Sequence, residues 1–298
     1  MKAVQLHAYG DTDQFRLAEI DVPAPGSGEV LLKIEASGLN PVDEHIRRGW
    51  ATAYIPLTLP AVLGVDAAGT IMAVGEDVTG FAVGDRVIAH VPANGKGAFA
   101  EMAVVPVAGL ARLPANVPFE AGATLPLAGL TGRQAVDVLE VRRGDRVLVS
   151  GALGAVGRVA VQYLKEHGAI PVAGVRAERL EEGLQLTGEA VDISEAPAEP
   201  AFDHAISAAA PVAANIAAFV RDGGRIASPV QTPDDPSGRV NVVQVFGRDD
   251  PILLQKVADA ASRGALTIPV SRTFRLDELA QAQTALSSGP GGKIVILP

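Results

Sequence analysis

The stretch VLVSGALGAVGRVAVQYLKEHGAIPVAGVRAER, residues 147–179, decides the fold. Val147, Leu148 and Val149 read as a short buried strand, and Gly151, Gly154 and Gly157 follow at a spacing of three. Val156, Val159, Ala160, Tyr163 and Leu164 then recur at helical spacing, with Gly168 as the terminating cap. A second apolar run closes the stretch, so strand, glycine turn, helix and strand make the start of a βαβ unit. A turn without Cβ atoms lets the backbone approach a pyrophosphate. The helix N-terminus behind it offers unpaired N–H groups and the positive end of a dipole to that anion. The pattern is GxxGxxG rather than GxGxxG, and such a turn also exists for packing alone, so both readings stand at this point.

The second strand bears on which dinucleotide would bind. An NAD site wants Asp or Glu about 20 residues on, to accept hydrogen bonds from the ribose 2′-OH. Residues 170–177, IPVAGVRA, contain no acid. Gly174 leaves room where that carboxylate would stand, and Arg176 and Arg179 can pair with a 2′-phosphate through bidentate, charge-assisted bonds. This favours NADP over NAD. The other reading places both arginines on the solvated face of the next helix. Pro171, with no N–H for a ladder, is tolerable only near the start of its strand.

Outward from this stretch the chain has two textures. Up to about residue 115, β-rich runs such as VLLKIEASGL, AAGTIMAVG, DRVIAHV and EMAVV are separated by Gly and Pro clusters, which reads as an antiparallel or barrel-like region. From about 120, strands alternate with helical patterns: DRVLVS before AVGRVAVQYLKEHG, IPVAG before AERLEEGLQL, HAISA before VAANIAAFVRDG, then GRIASP. Such alternation means a parallel sheet. The last stretch, 266–298, reads as a strand, a helix with apolar Leu276, Leu279, Ala282 and Leu286, and a closing strand.

Composition limits the function. The 298 residues are 48% hydrophobic and 20% charged, as a large packed core requires. A net charge of −9 without a basic run points to neither nucleic acid nor an anionic membrane surface. No apolar run approaches the roughly 18 residues of a membrane span, and MKAVQLHAYGDTDQF lacks a signal-peptide core, so a cytoplasmic location is expected. There are no cysteines, and the five histidines stand without ligand spacing, which argues against a metal enzyme.

The segments GLNPVDEHIRRG (38–49), LPAVLGVDAAGTIMAVGEDVTGFAVGDRV (59–87), GAFAEM (97–102), LPLAGLTGRQAV (125–136), the glycine turn and GPGGKIVIL (289–297) together resemble the zinc-independent quinone oxidoreductase branch of the medium-chain dehydrogenase/reductase superfamily, nearly end to end. The resemblance implies an α/β chain with a GroES-like, β-rich catalytic domain over 1–118, a Rossmann doubly wound parallel-sheet domain over 119–264 that binds NADPH, and a return to the catalytic domain over 265–298. The cofactor would lie in the cleft between them, and a homodimer is expected.

Family roles carry over by position. Asn40 matches the asparagine facing the nicotinamide, beside its plain reading as a turn residue before Pro41. Thr131 matches a threonine on the nicotinamide side, beside a helix-start role. Gly151, Leu153, Gly154, Ala155 and Val156 match the pyrophosphate loop. Lys293 matches a basic residue near the cofactor, beside a solvated lysine.

Where zinc-dependent relatives carry a His-Glu pair, this chain has Val65 and Asp66. Further departures concern the substrate: His45 replaces Tyr or Lys, Arg133 replaces an aromatic residue, Ser207 to Ala210 replace a DxxG, and the region after Pro229 is short. His45 could donate to a substrate oxygen, beside the reading as a solvated loop histidine. The function implied is zinc-free hydride transfer from NADPH to a quinone or an α,β-unsaturated carbonyl (an enone). The alternatives are an enoyl-thioester or alcohol-type reductase, and an NADPH-binding structural or regulatory protein with little turnover.

Overall fold

The computed structural model describes residues 1–209, 216–230, 235, 238–287, 289 and 291–298. The chain opens with β1 (Lys2–Leu6), β2 (Phe15–Glu19), β3 (Glu29–Leu39), α1 (Pro41–Arg47), β4 (Ala61–Val62), β5 (Asp66–Val74), β6 (Arg86–His90), β7 (Met102–Pro106), β8 (Leu110–Arg112), α2 (Phe119–Gly122) and α3 (Pro126–Asp137). It continues through β9 (Arg146–Ser150), α4 (Ala155–Glu166), β10 (Ile170–Val175), α5 (Leu180–Thr187), β11 (Ala190–Asp192), β12 (Phe202–Ser207), β13 (Val220–Ser228) and β14 (Asn241–Gln244). It closes with α6 (Pro251–Ser262), β15 (Val270–Arg275), α7 (Leu279–Leu286) and β16 (Lys293–Leu297). These elements form two compact units, one of residues 1–127, 249–264 and 268–298, the other of 128–248 and 265–267.

The first unit is the β-rich, GroES-like one. A three-stranded sheet runs β2-β1-β4, and a larger sheet runs β15-β16-β3-β5-β6-β8 with β7 also on β3. The eleven-residue β3 organises it, pairing antiparallel with β5, β7 and β16. Val30, Leu32 and Ile34, at the two-residue period of a strand, pack with Ile71, Val87 and Leu110 in one core cluster. Leu6, Leu39, Ile46, Phe99, Ile294 and Ile296 build a second.

The second unit is the Rossmann-like sheet, ordered β11-β10-β9-β12-β13-β14 with every pair parallel. Val147, Leu148 and Val149 of its inner strand β9 are fully buried, as a strand covered on both faces requires. Pro171 is the second residue of β10 and pairs with Val147, while β11 joins only from Ala173 onward. Its missing N–H therefore falls before the second ladder begins.

Three expectations meet a different arrangement. The units divide after 127 and 248, where the sequence placed 118 and 264. The segment between 248 and 264 holds α6, which packs on β8, where the Arg112 N–H donates to Gln255 Oε1 at 2.9 Å and Gln255 Nε2 donates to the Arg112 carbonyl at 3.2 Å. The helical pattern read over 212–223 gives way to a single 3-10 turn at Ile216–Phe219 and then to β13 from Val220; its first part lies outside the described residues. The helix carrying Thr131 starts at Pro126, so Thr131 is inside it.

Candidate functional site

The glycine turn is built as the 147–179 stretch requires. Gly151 has a φ of +76°, and a Cβ on it would stand 2.8 Å from the Ala209 Cβ. Gly154 differs: it is exposed, and a Cβ there would meet one atom, Gly151 O, at 3.3 Å. The bare backbone at Gly154 thus keeps the outer side of the turn open. Gly154 is also the N-cap of the twelve-residue α4 and supplies no side-chain cap. The first amides of the helix, at Ala155, Val156 and Gly157, have no carbonyl one turn back to bond, so they and the dipole favour an anion. Leu153 is buried, and its carbonyl accepts from Arg158 Nε at 3.1 Å, which braces the turn. The donor set fits a pyrophosphate.

At the end of β10 the structure separates the three expected residues. Gly174 is buried, and a Cβ on it would lie 3.1 Å from both Ile193 Cγ2 and Leu148 Cδ1. The room expected where an NAD-type carboxylate would stand is filled by these side chains, so packing between strands accounts for the glycine. Arg176 follows the strand with a side chain 60% exposed and only a 3.7 Å contact to Glu178. Arg179 is held by Glu182 through two bonds, 2.7 and 2.8 Å. Arg158, which the sequence reading passed over, feels both: burial lowers its pKa, while the Glu182 charge raises it and the Arg179 charge lowers it.

Elsewhere in this unit Thr131 is buried within α3. Arg133, which stands where the family has an aromatic residue, lies under the Tyr163 ring, its guanidinium carbon 3.9 Å from the ring centroid, and donates to Glu166 at 3.1 Å. Both partners are on α4, which gives Arg133 a packing role.

The first unit holds a buried polar cluster. Asn40, Asp43, Asp66 and Lys293 are buried, between 0% and 5% exposed. Lys293 Nζ donates to Asp66 Oδ2 at 2.9 Å and to Asn40 Oδ1. Asn40 Nδ2 gives its hydrogens to Asp66 Oδ2 at 2.9 Å and to the Gly38 carbonyl at 3.2 Å. Asp66 Oδ1 accepts from the Leu127 amide in the first turn of α3, at 2.7 Å. Lys293 is thus paired in the core, a placement that the solvated-lysine reading does not describe.

Asp43, three residues after the N-cap Asn40, accepts the Asn40 amide at 2.8 Å, while its Oδ1 has no well-formed hydrogen bond among the described residues, the Gly64 amide being its nearest donor. Burial pushes its carboxyl up to about 7, with the Asp66 charge adding, while the Asn40 amide and the Lys293 ammonium pull back. That spacing is a signal in the sequence. The partners of Asp66 are not, lying 26 and 227 residues away.

The structure does not bring His45 into this cluster. It stands on the exposed face of α1 with its ring centroid 5.5 Å from that of Trp50, the only tryptophan. A different histidine lies nearer: His90 faces Asp66 across the β5–β6 ladder, and its Nδ1 is 2.6 Å from Asp249 Oδ1. Burial works to lower the His90 pKa, but the Asp249 bond and the Asp66 charge outweigh it and leave it raised. Among the described residues, no group of three His, Cys, Asp or Glu side chains could hold a metal ion, and no helix is long and apolar enough to cross a membrane. Ala210 of the replaced DxxG, residues 231–234 and 236–237 after Pro229, and Pro290 of the GPGGK run lie outside the described residues.

Comparison with known proteins finds two matching domain families, the second of which runs across the boundary between the units. Residues 26–115 match the alcohol dehydrogenase GroES-like domain, and 184–296 match the family described as zinc-binding dehydrogenase. The chain is 38% identical over 172 residues to a chloroplastic quinone-oxidoreductase homolog of Spinacia oleracea, covering 55% of this chain and 52% of that one. It is 36% identical over 188 residues to a quinone oxidoreductase of Mus musculus, covering 62% and 55%. The match thus spans about half the length of these curated relatives. The solved quinone oxidoreductase of Coxiella burnetii superposes with a TM-score of 0.86 at 25% identity, over 100% of this chain and 99% of the other. The two domain families, the quinone oxidoreductase relatives and the solved structure together support a place on the quinone oxidoreductase branch of the medium-chain dehydrogenase/reductase superfamily.

Proposed function

We propose that the protein is an NADPH-dependent reductase that passes a hydride to a quinone or an α,β-unsaturated carbonyl without zinc. The observation that carries this reading is the glycine turn: an exposed, bare N-cap at Gly154, unpaired amides behind it, and the guanidinium groups of Arg176 and Arg179 after the next strand. When bound, the reduced nicotinamide supplies the hydride and with it two electrons. The chain's own residues do the rest. The amides of Ala155, Val156 and Gly157 hold the pyrophosphate, and Arg176 and Arg179 meet the 2′-phosphate, each charge-assisted bond contributing about 1.5–3 kcal/mol before solvent screening.

Negative charge that develops on the acceptor's carbonyl oxygen needs hydrogen-bond donors. Both Asn40 hydrogens are already used within the cluster, so Asn40 acts by fixing the Lys293 ammonium. Lys293 retains a third hydrogen with no partner among the described residues. His45 and solvent are the remaining proton sources. Zinc independence is supported by the donor set: no thiolate is available, and the Asp66 carboxylate is engaged by Lys293, Asn40 and the Leu127 amide.

The test is direct. Protein, NADPH and a panel of quinones and enones are mixed, and the absorbance of the reduced nicotinamide is followed. Oxidation with those acceptors, unchanged by prolonged chelation, is expected. Tight NADPH binding without turnover on any acceptor would return the protein to the binding-protein alternative, and turnover only with enoyl thioesters or simple aldehydes and ketones to the other reductase classes.

A further inference from the structure

The guanidinium assigned to the 2′-phosphate is not free in the protein. Arg179 sits at the entry to α5, and Glu182, three residues on, grips it with both carboxylate oxygens, Nε to Oε1 at 2.7 Å and Nη2 to Oε2 at 2.8 Å. This is the fork geometry in which Arg would take a phosphate. Arg158 reaches the same place from α4 while its Nε holds the Leu153 carbonyl of the glycine turn. Arg176 completes the set, paired only loosely with Glu178. Two cations, Arg158 and Arg179, thus share the charge of Glu182, which holds Arg179 closely, while Arg176 stands three residues before Arg179.

We propose that Glu182 is a built-in competitor of the cofactor's 2′-phosphate and thereby sets how strongly the protein prefers NADPH over NADH. This rests on the NADPH reading above. The second strand carries no acid at its end, so the nearby acid comes from α5 and sits on the arginine rather than on the strand. A phosphate must displace Glu182 from Arg179 before it gains the fork. Apparent affinity is reduced by the fraction of time Arg179 is occupied. After displacement, the Glu182 carboxylate remains close and repels the phosphate. A dinucleotide with a bare 2′-OH requires no displacement, so Glu182 weakens only the phosphorylated cofactor. The pair is accessible, Arg179 being 29% and Glu182 52% exposed, so the exchange costs little rearrangement.

The experiment is fluorescence titration of NADPH and NADH, with calorimetry of adenosine 2′,5′-bisphosphate as a probe that keeps the adenosine half with its 2′-phosphate and lacks the nicotinamide, on the whole chain and on Glu182→Gln, Arg179→Met and the double variant. Glu182→Gln is expected to tighten NADPH and the bisphosphate about 5- to 20-fold while NADH changes less than twofold. In the Arg179→Met background that gain should largely vanish, which a cycle of the four proteins reads as coupling. Glu182 is exposed and Arg179 half-buried, and unaltered melting temperatures confirm intact folds. If the wild type prefers NADPH and Glu182→Gln leaves its affinity unchanged, the competitor role is overturned and the NADPH reading stands. If the wild type binds both cofactors equally and ignores the bisphosphate, the NADPH reading itself falls.

Discussion

Two ion pairs of nearly equal length lead opposite lives in this protein. Lys293 and Asp66 are 2.9 Å apart with 5% and 0% of their side chains exposed. Arg179 and Glu182 are 2.7 Å apart with 29% and 52% exposed. In the first pair water is excluded, every charge is tied to further hydrogen bonds, and separating the partners would strand them in the core. In the second, water stands ready to replace either partner, so the pair contributes little to stability and can be exchanged for a ligand. Distance alone therefore says nothing about role; burial decides whether an ion pair holds a structure or waits for an anion.

The comparison breaks most readily at Lys293. Lys293→Met leaves Asp66 charged and partly unpartnered at the centre of the first unit, so a loss of about 3–5 kcal/mol in denaturant unfolding is expected. Removing both charges in Lys293→Met with Asp66→Asn should recover much of it. A single variant as stable as the wild type would show that the pair is not a buried one.

A smaller effect belongs to Asp43. Its carboxyl stands at about 7 in the folded protein against an ordinary 3.8, so the folded state binds this proton more tightly than the unfolded chain. The stability it contributes is complete below about pH 4 and is lost as pH rises through 7, on the order of 2–4 kcal/mol. Other carboxylates are shifted downward, Glu189 by Arg146 among them, and slope the other way. The quantity to measure is thus the difference between wild type and Asp43→Asn from pH 4 to 8. A difference that stays flat with pH would remove Asp43 from the set of buried acids.

The smallest effect tests the exposed side of the comparison. Arg176→Ala should weaken NADPH about tenfold and NADH hardly at all, and the preference should shrink as salt rises, because charges this accessible are screened. Unfolding of the Lys293 cluster should show no such salt dependence. Equal weakening of both cofactors would mean that Arg176 does not read the phosphate.

Much of this was open to sequence reading because it is local. The strand, turn and helix of 147–166 and the alternation after it rest on contacts within a few residues, and the parallel sheet followed. What escaped depends on long separations. Nothing near Lys293 announces that it will meet Asn40, 253 residues earlier. Gly174 looked like an opening because Ile193, which fills it, comes from the next βα unit. The ring against which Arg133 packs is 30 positions on, and α6 joins the first unit through contacts of Gln255 with Arg112 of β8, 143 residues earlier.

Those contacts have a consequence for self-association. β8 is the outer strand of its sheet, and an outer strand offers unpaired amides and carbonyls on which another chain can build. A carboxamide carries the same donor and acceptor as a peptide group, so Gln255 occupies at Arg112 the place a neighbouring strand would take. One glutamine on a covering helix thereby occupies the outward backbone groups of Arg112 on this edge. Gln255→Leu should keep cofactor binding intact yet scatter light sooner on mild heating, and scattering equal to that of the wild type would show that the bulk of α6, rather than this side chain, seals the edge.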